Sequence, residues 1–142
     1  MHVDHVAIVV EDLEQAVEAY EAIGLVRYQI YDDIVEEYPG EEELHYRACA
    51  VMETRESDFH LWLMEPKGEG TGLHRFLERR GPGLHHIGID GPLDGLPEKL
   101  AAAGIEFIRP ISDFGKEGRR GLLHPHSMQR TLVEVTELPD HG

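Results

Sequence analysis

Residues 2–10, HVDHVAIVV, are mostly apolar and β-branched, the kind of run that fills a strand buried on both faces. The acidic pair Glu11-Asp12 follows. Next comes a stretch in which Leu13, Ala16, Val17 and Tyr20 recur at three- and four-residue spacing, the apolar stripe of a helix. Gly24 stands where a left-handed residue would end that helix. Residues 25–33 read as a second strand and residues 34–43 as a loop turning at Pro39-Gly40. Residues 43–52 and 58–66 read as third and fourth strands joined by the charged turn ETRESD.

The pattern then starts again. After a linker marked by Gly68, Gly70 and Gly72 and a short helix LHRFLERR, a strand is expected at LHHIGID and a helix at LPEKLAAA, with Pro97 in its first turn. Strands follow at IEFIRP, RGLLHP and TLVEVTE. The run from His5, HVAIVVEDLEQAVEAYEAIGLV, is echoed by HIGIDGPLDGLPEKLAAAGIEF from His86. Gly24 lies nineteen residues after His5, and Gly104 eighteen after His86. Self-similarity of this kind points to a duplicated unit. The expected fold class is α+β, a βαβββ unit written twice, and paired modules can bring the two equivalent histidines together. The expected division is an N-terminal module over residues 1–66, a linker with a short helix over 67–82, and a C-terminal module over 83–142.

Charge and cysteine content narrow the partners. The 142 residues carry 28 acidic and 13 basic side chains, a formal net charge of -15. Such a field disfavours nucleic acid and anionic membrane surfaces, leaving a small molecule as the expected ligand. Lys116, Arg119 and Arg120 form the one basic cluster, read either as a ligand-facing patch or as a solvated loop. Cys49 is the single cysteine, so no intramolecular disulfide forms, and it reads as a small buried residue. With no signal-peptide pattern and no apolar run long enough to span a membrane, the expected location is the cytoplasm.

Among the histidines, His5 and His86 stand out because they occupy equivalent positions of the repeat. His60 is a lone strand histidine, a type usually satisfied by core or surface contacts. His85 should point to the opposite side of its strand from His86. In the last strand Glu134 lies between Val133 and Val135, so it faces away from them. A carboxylate there is costly unless paired or bound to metal. Two histidines and one carboxylate are a common donor set for a divalent transition ion with open positions, cobalt, nickel, zinc, manganese or iron.

The stretches His-Val-Ala-Ile with Asp-Leu-Glu-Gln-Ala, then FLERRGPGLHHIGID, then LLHPHSMQRTLVEVTE, resemble the vicinal oxygen chelate superfamily. The resemblance runs from His5 to Glu137 and is nearest to methylmalonyl-CoA epimerase. It implies paired βαβββ modules forming a curved mixed sheet around a metal-binding cavity, with His5, His86 and Glu134 as metal ligands. It also implies a homodimer, and the apolar Leu73, Phe76, Leu77 face of the linker helix either receives a second subunit or packs on its own sheet. Three departures accompany it. The family's fourth ligand position falls on Trp62, whose indole has no lone pair for a metal. His60 lies two residues away, roughly 6.6 Å along the strand. The family's catalytic glutamate falls on His45. Beyond His-Pro, the family's lysine is replaced by His126, and its Gly-Gly by Gln129-Arg130.

The activity so implied is a metal-dependent isomerase or epimerase that transfers a proton next to a polarised carbonyl, on a small molecule such as an acyl thioester. His45 is the leading proton carrier and Glu134 the second. His60, Trp62, Tyr46, Lys116 and Arg119 are expected to line the substrate cavity. Three other readings share the scaffold: a glyoxalase I-like lyase, a non-haem iron dioxygenase using the His-His-Glu triad, and a non-catalytic drug- or antibiotic-binding protein using Trp62 and Tyr46.

Overall fold

A computed structural model describes residues 1–37 and 43–139; the expected turn at Pro39-Gly40 lies outside them. The chain divides into two compact units, one of residues 6–85 and the other of residues 1–5 with 86–142. Each carries a βαβββ order, and among the described residues no helix is long and apolar enough to cross a membrane.

The first unit holds most of β1 (His2–Val9), then α1 (Leu13–Ala22), β2 (Val26–Glu36), β3 (Leu44–Met52), β4 (His60–Pro66) and α2 (Gly72–Arg80). Its strands run in the order β2-β3-β4-β1. Asp12 caps α1, its side chain accepting from Gln15 N at 3.0 Å. The continuous apolar run of β1 has a physical reason, since both faces of this part of the strand are covered. Val10 packs with Leu13 and Val17 of α1 and with Cys49, Val51 and Leu63, while Ala7 and Val9 pack with Tyr46, Ala48, Met64 and Leu73 of α2. Of the two readings of the Leu73, Phe76, Leu77 face of α2, packing on its own sheet is the one seen. Leu73 is buried, with Phe76 and Leu77 packed beside it.

β2 is longer than the sequence pattern implies. Residues 34–36, expected in a loop, continue the strand, because Ile34, Val35 and Glu36 pair with Tyr46, His45 and Leu44. Main-chain pairing across the hairpin extends a strand past the point where side-chain alternation stops signalling it.

The second unit holds most of β5 (Gly83–Asp90), from His86 onward, then α3 (Leu96–Ala102), β6 (Phe107–Asp113), β7 (Arg119–Leu123) and β8 (Val133–Glu137), with the start of β1 beside β5. The order is β1-β5-β8-β7-β6; β5 and β8 are parallel, while β8–β7 and β7–β6 are antiparallel, so the sheet is mixed. Pro97 lies in the first turn of α3. β7 ends at Leu123 because Pro125 opens a 3-10 turn, Pro125–Met128. Ile89, Val133, Val135, Leu123, Phe107 and Ile111 meet Leu93, Leu96 and Leu100 on one face. By alternation, His86, Gly88, Glu134, Thr136 and Leu122 fall on the other.

Candidate metal centre

The donors come together on that second face. Gly88 is registered with Glu134 across the parallel β5–β8 pair, and His86, two residues before Gly88, therefore shares the side of Glu134. His5, at the end of the β1 segment beside β5, reaches over Gly88: a Cβ there would lie 2.1 Å from His5 Cε1. His5 Nε2 is 3.1 Å from His86 Nε2 and 3.8 Å from Glu134 Oε1. The two imidazoles meet edge-on, at an interplanar angle of 87°. One donor atom from each of the three side chains lies within 4.8 Å of the other two.

The burial of this cluster carries chemical meaning. Glu134 is 7 % exposed, and a buried carboxylate is stable only where something cationic or hydrogen-bonding answers it. Two imidazole nitrogens and a carboxylate oxygen converging on one point are a donor set matched to a divalent first-row ion. The side chains therefore fit a metal. Around them, Thr136 donates to Asp90 Oδ1 at 2.8 Å and the Leu138 amide reaches the same oxygen at 2.8 Å, fastening the ends of β5 and β8.

His85 lies on the opposite side of β5, as alternation requires. It packs edge-on against Phe76, with ring centroids 5.0 Å apart. Burial, assisted by the Arg80 charge, pushes its pKa down to about 4, so it is a neutral packing residue at neutral pH.

Four other sequence candidates lie in the first unit. His45, on β3, directs Nε2 to the Asp33 carboxylate, which also receives Lys67 Nζ at 3.2 Å. These two partners, His45 foremost, hold the Asp33 carboxyl below its ordinary value. Tyr46 is a buried core residue whose hydroxyl donates to Glu36. Trp62 packs against the same core between Tyr31 and His60, at ring distances of 6.1 and 5.9 Å.

Lys116 and Arg119 lie in the second unit. Lys116 is exposed in a 3-10 turn, Gly115–Glu117. Arg119 is registered with Glu137, on the side of the strand away from Glu134. There it donates from Nε to Glu137 at 2.9 Å and from Nη2 to Asp94 at 3.0 Å. Arg120 is registered with Thr136, on the Glu134 side, and its guanidinium lies 4.6 Å from the Phe114 ring centroid. Of the basic cluster, Arg120 shares the face of the donors. Its neighbour Arg119 does not.

Gln129 and Arg130 both have positive φ, 56° and 66°. The segment keeps a left-handed backbone that glycine adopts without strain. Two residues that position His5 escaped the sequence reading, Asp4 and Gly88. Asp4 Oδ2 is 2.8 Å from His5 Nδ1. A glycine inside a strand pattern is a signal of close approach by another group.

A family model described as the Glyoxalase/Bleomycin resistance protein/Dioxygenase superfamily matches residues 4–121. The uncharacterized protein YqjC of Bacillus subtilis is 27% identical over 138 residues, covering 94% of this chain and 90% of that protein. Methylmalonyl-CoA epimerase from Mycobacterium tuberculosis superposes with a TM-score of 0.75 at 24% identity, covering 98% of this chain and 89% of that one. The Streptomyces coelicolor methylmalonyl-CoA epimerase in complex with 2-nitronate-propionyl-CoA gives 0.72 at 22% identity, with 99% of each chain covered. At such identities the structural likeness is one of fold. Together with the match over most of the sequence, it makes this chain a member of the glyoxalase/bleomycin resistance protein/dioxygenase superfamily.

Proposed function

We propose that the protein is a metal-dependent isomerase or epimerase that moves a proton on the carbon next to a carbonyl. The observation that carries this reading is the convergence of His5 Nε2, His86 Nε2 and the buried Glu134 carboxylate. These three side chains would hold a divalent ion, which when bound supplies Lewis-acid polarisation of the substrate carbonyl. His45 is the proposed proton carrier. Its ring is paired with the Asp33 carboxylate and its side chain is 40% exposed, so it is open to solvent exchange, and an adjacent carboxylate stabilises the imidazolium that proton abstraction creates. The proposed substrate is an acyl thioester of the methylmalonyl type, supported by the likeness in fold to epimerases bound to acyl-CoA compounds.

Incubating the protein with methylmalonyl-CoA in deuterium oxide and added divalent metal tests this. The expected result is metal-dependent exchange of the α-proton, slowed about 10²–10⁴-fold in His45→Ala, the usual contribution of one acid–base group. No exchange by a metal-loaded wild type would overturn the reading.

Two histidines and one carboxylate are also the set used by non-haem iron oxygenases, and this favours a second reading as a dioxygenase. Oxygen consumption with an aromatic substrate by the iron-loaded protein would select it.

A further inference from the structure

The geometry points to Asp4 as a positioning residue that chooses the tautomer of His5 and so makes His5 Nε2 a metal donor. This rests on the reading of His5, His86 and Glu134 as a metal site.

Asp4 Oδ2 lies 2.8 Å from His5 Nδ1, within one strand and one residue apart. An ionised carboxylate oxygen only accepts, so Nδ1 must carry the hydrogen. In the neutral ring that leaves Nε2 bare. This nitrogen is the one facing His86 Nε2 at 3.1 Å and Glu134 Oε1 at 3.8 Å. The opposite tautomer, with the hydrogen on Nε2, would suit the metal-free protein well, because Nε2–H could be shared with Glu134 or His86. It would also remove the lone pair a metal requires. Asp4 therefore acts against a competing arrangement as well as turning the ring.

Ring placement is fixed from a second side. The His5 ring lies over the backbone of Gly88, with its Cε1, Nδ1 and Nε2 at 2.1, 2.5 and 2.6 Å from where a Cβ would stand. Asp4 sets which nitrogen is bare, and the space at Gly88 sets where it lies. The His5 side chain is 12% exposed and that of Asp4 15%, so water competes weakly for this hydrogen bond. Partners of this kind hold ligating histidines in place and raise their basicity.

The test uses 15N-histidine-labelled, metal-free full chain and cobalt(II) as the probe. Long-range proton–nitrogen correlation spectra at alkaline pH should show His5 protonated on Nδ1 in the wild type and shifted towards the Nε2–H form in Asp4→Ala. Calorimetric titration with cobalt(II) should show affinity about 10–100-fold weaker in Asp4→Ala, the usual effect of losing such a partner. Asp4→Asn keeps a carbonyl acceptor for Nδ1–H, so it should retain the wild-type tautomer and recover most of the affinity. A wild-type His5 protonated on Nε2, or an Asp4→Ala variant with unchanged tautomer and affinity, would overturn the assignment. A wild type that binds no cobalt while its tautomer still depends on Asp4 would overturn the metal reading and leave the control of His5 by Asp4 standing.

Discussion

The imidazole of His5 occupies the space that a side chain at position 88 would need. A Cβ on Gly88 would stand 2.1 Å from His5 Cε1, far inside van der Waals contact. Gly88→Ala should therefore displace His5 and abolish binding of divalent metal, while costing about 1–3 kcal/mol in stability from overpacking. Metal titration beside thermal unfolding checks it. A variant that binds metal as the wild type does would show that the ring is not confined there.

Leu73 lies 1% exposed in the core between α2 and the sheet of the first unit. Leu73→Ala should lower stability by about 2–5 kcal/mol, the range for a buried leucine that leaves a cavity. Denaturant unfolding measures the loss. A near-neutral result would mean that α2 does not pack on its own unit in solution.

Gln129 and Arg130 hold left-handed backbone without being glycine. Each pays roughly 1–2 kcal/mol for that conformation. Returning either position to glycine should raise stability by about 0.5–1 kcal/mol, part of the relief being offset by the greater freedom of the unfolded chain. Paired melting curves of Gln129→Gly, Arg130→Gly and the wild type give the answer, and lower melting temperatures in both variants would contradict it.

Glu137 titrates below its ordinary 4.5, chiefly through the hydrogen bond from Arg119 and also through the Leu93 amide. A folded-state pKa depressed in this way contributes stability above about pH 4.5 that is lost as pH falls through the folded value. Carbon-detected titration of the Glu137 carboxyl should show a low midpoint in the wild type that rises in Arg119→Gln. An unmoved midpoint would remove Arg119 as its cause.

The repeat made much of this legible. His5 and His86 could be paired because they open equivalent strands, and Glu134 because alternation between two core valines leaves it one direction to face. Other features depended on register, which side-chain pattern does not encode. Arg119 and Arg120 are adjacent and chemically identical, and only the pairing of β7 with Glu137 and Thr136 tells which shares the face of Glu134. Asp4 was hidden because an acidic residue at the start of a strand looks like solvated surface. Gly88 carried a readable signal, since a strand interior rarely spends a glycine without a reason.

β1 is shared within a single strand: its first residues belong with residues 86–142, and its remainder with the unit that ends at His85. During synthesis, then, His5 emerges first and waits longest. Its neighbour in the donor cluster, His86, lies 81 residues downstream, and Glu134 follows later still. A ribosome-bound chain can complete the core of residues 6–85 while the first five residues still lack their β5 neighbour. The three donors therefore cannot assemble on a nascent chain until β8 has been made, so the cluster of His5, His86 and Glu134 closes late and reports that both ends of this span are in place.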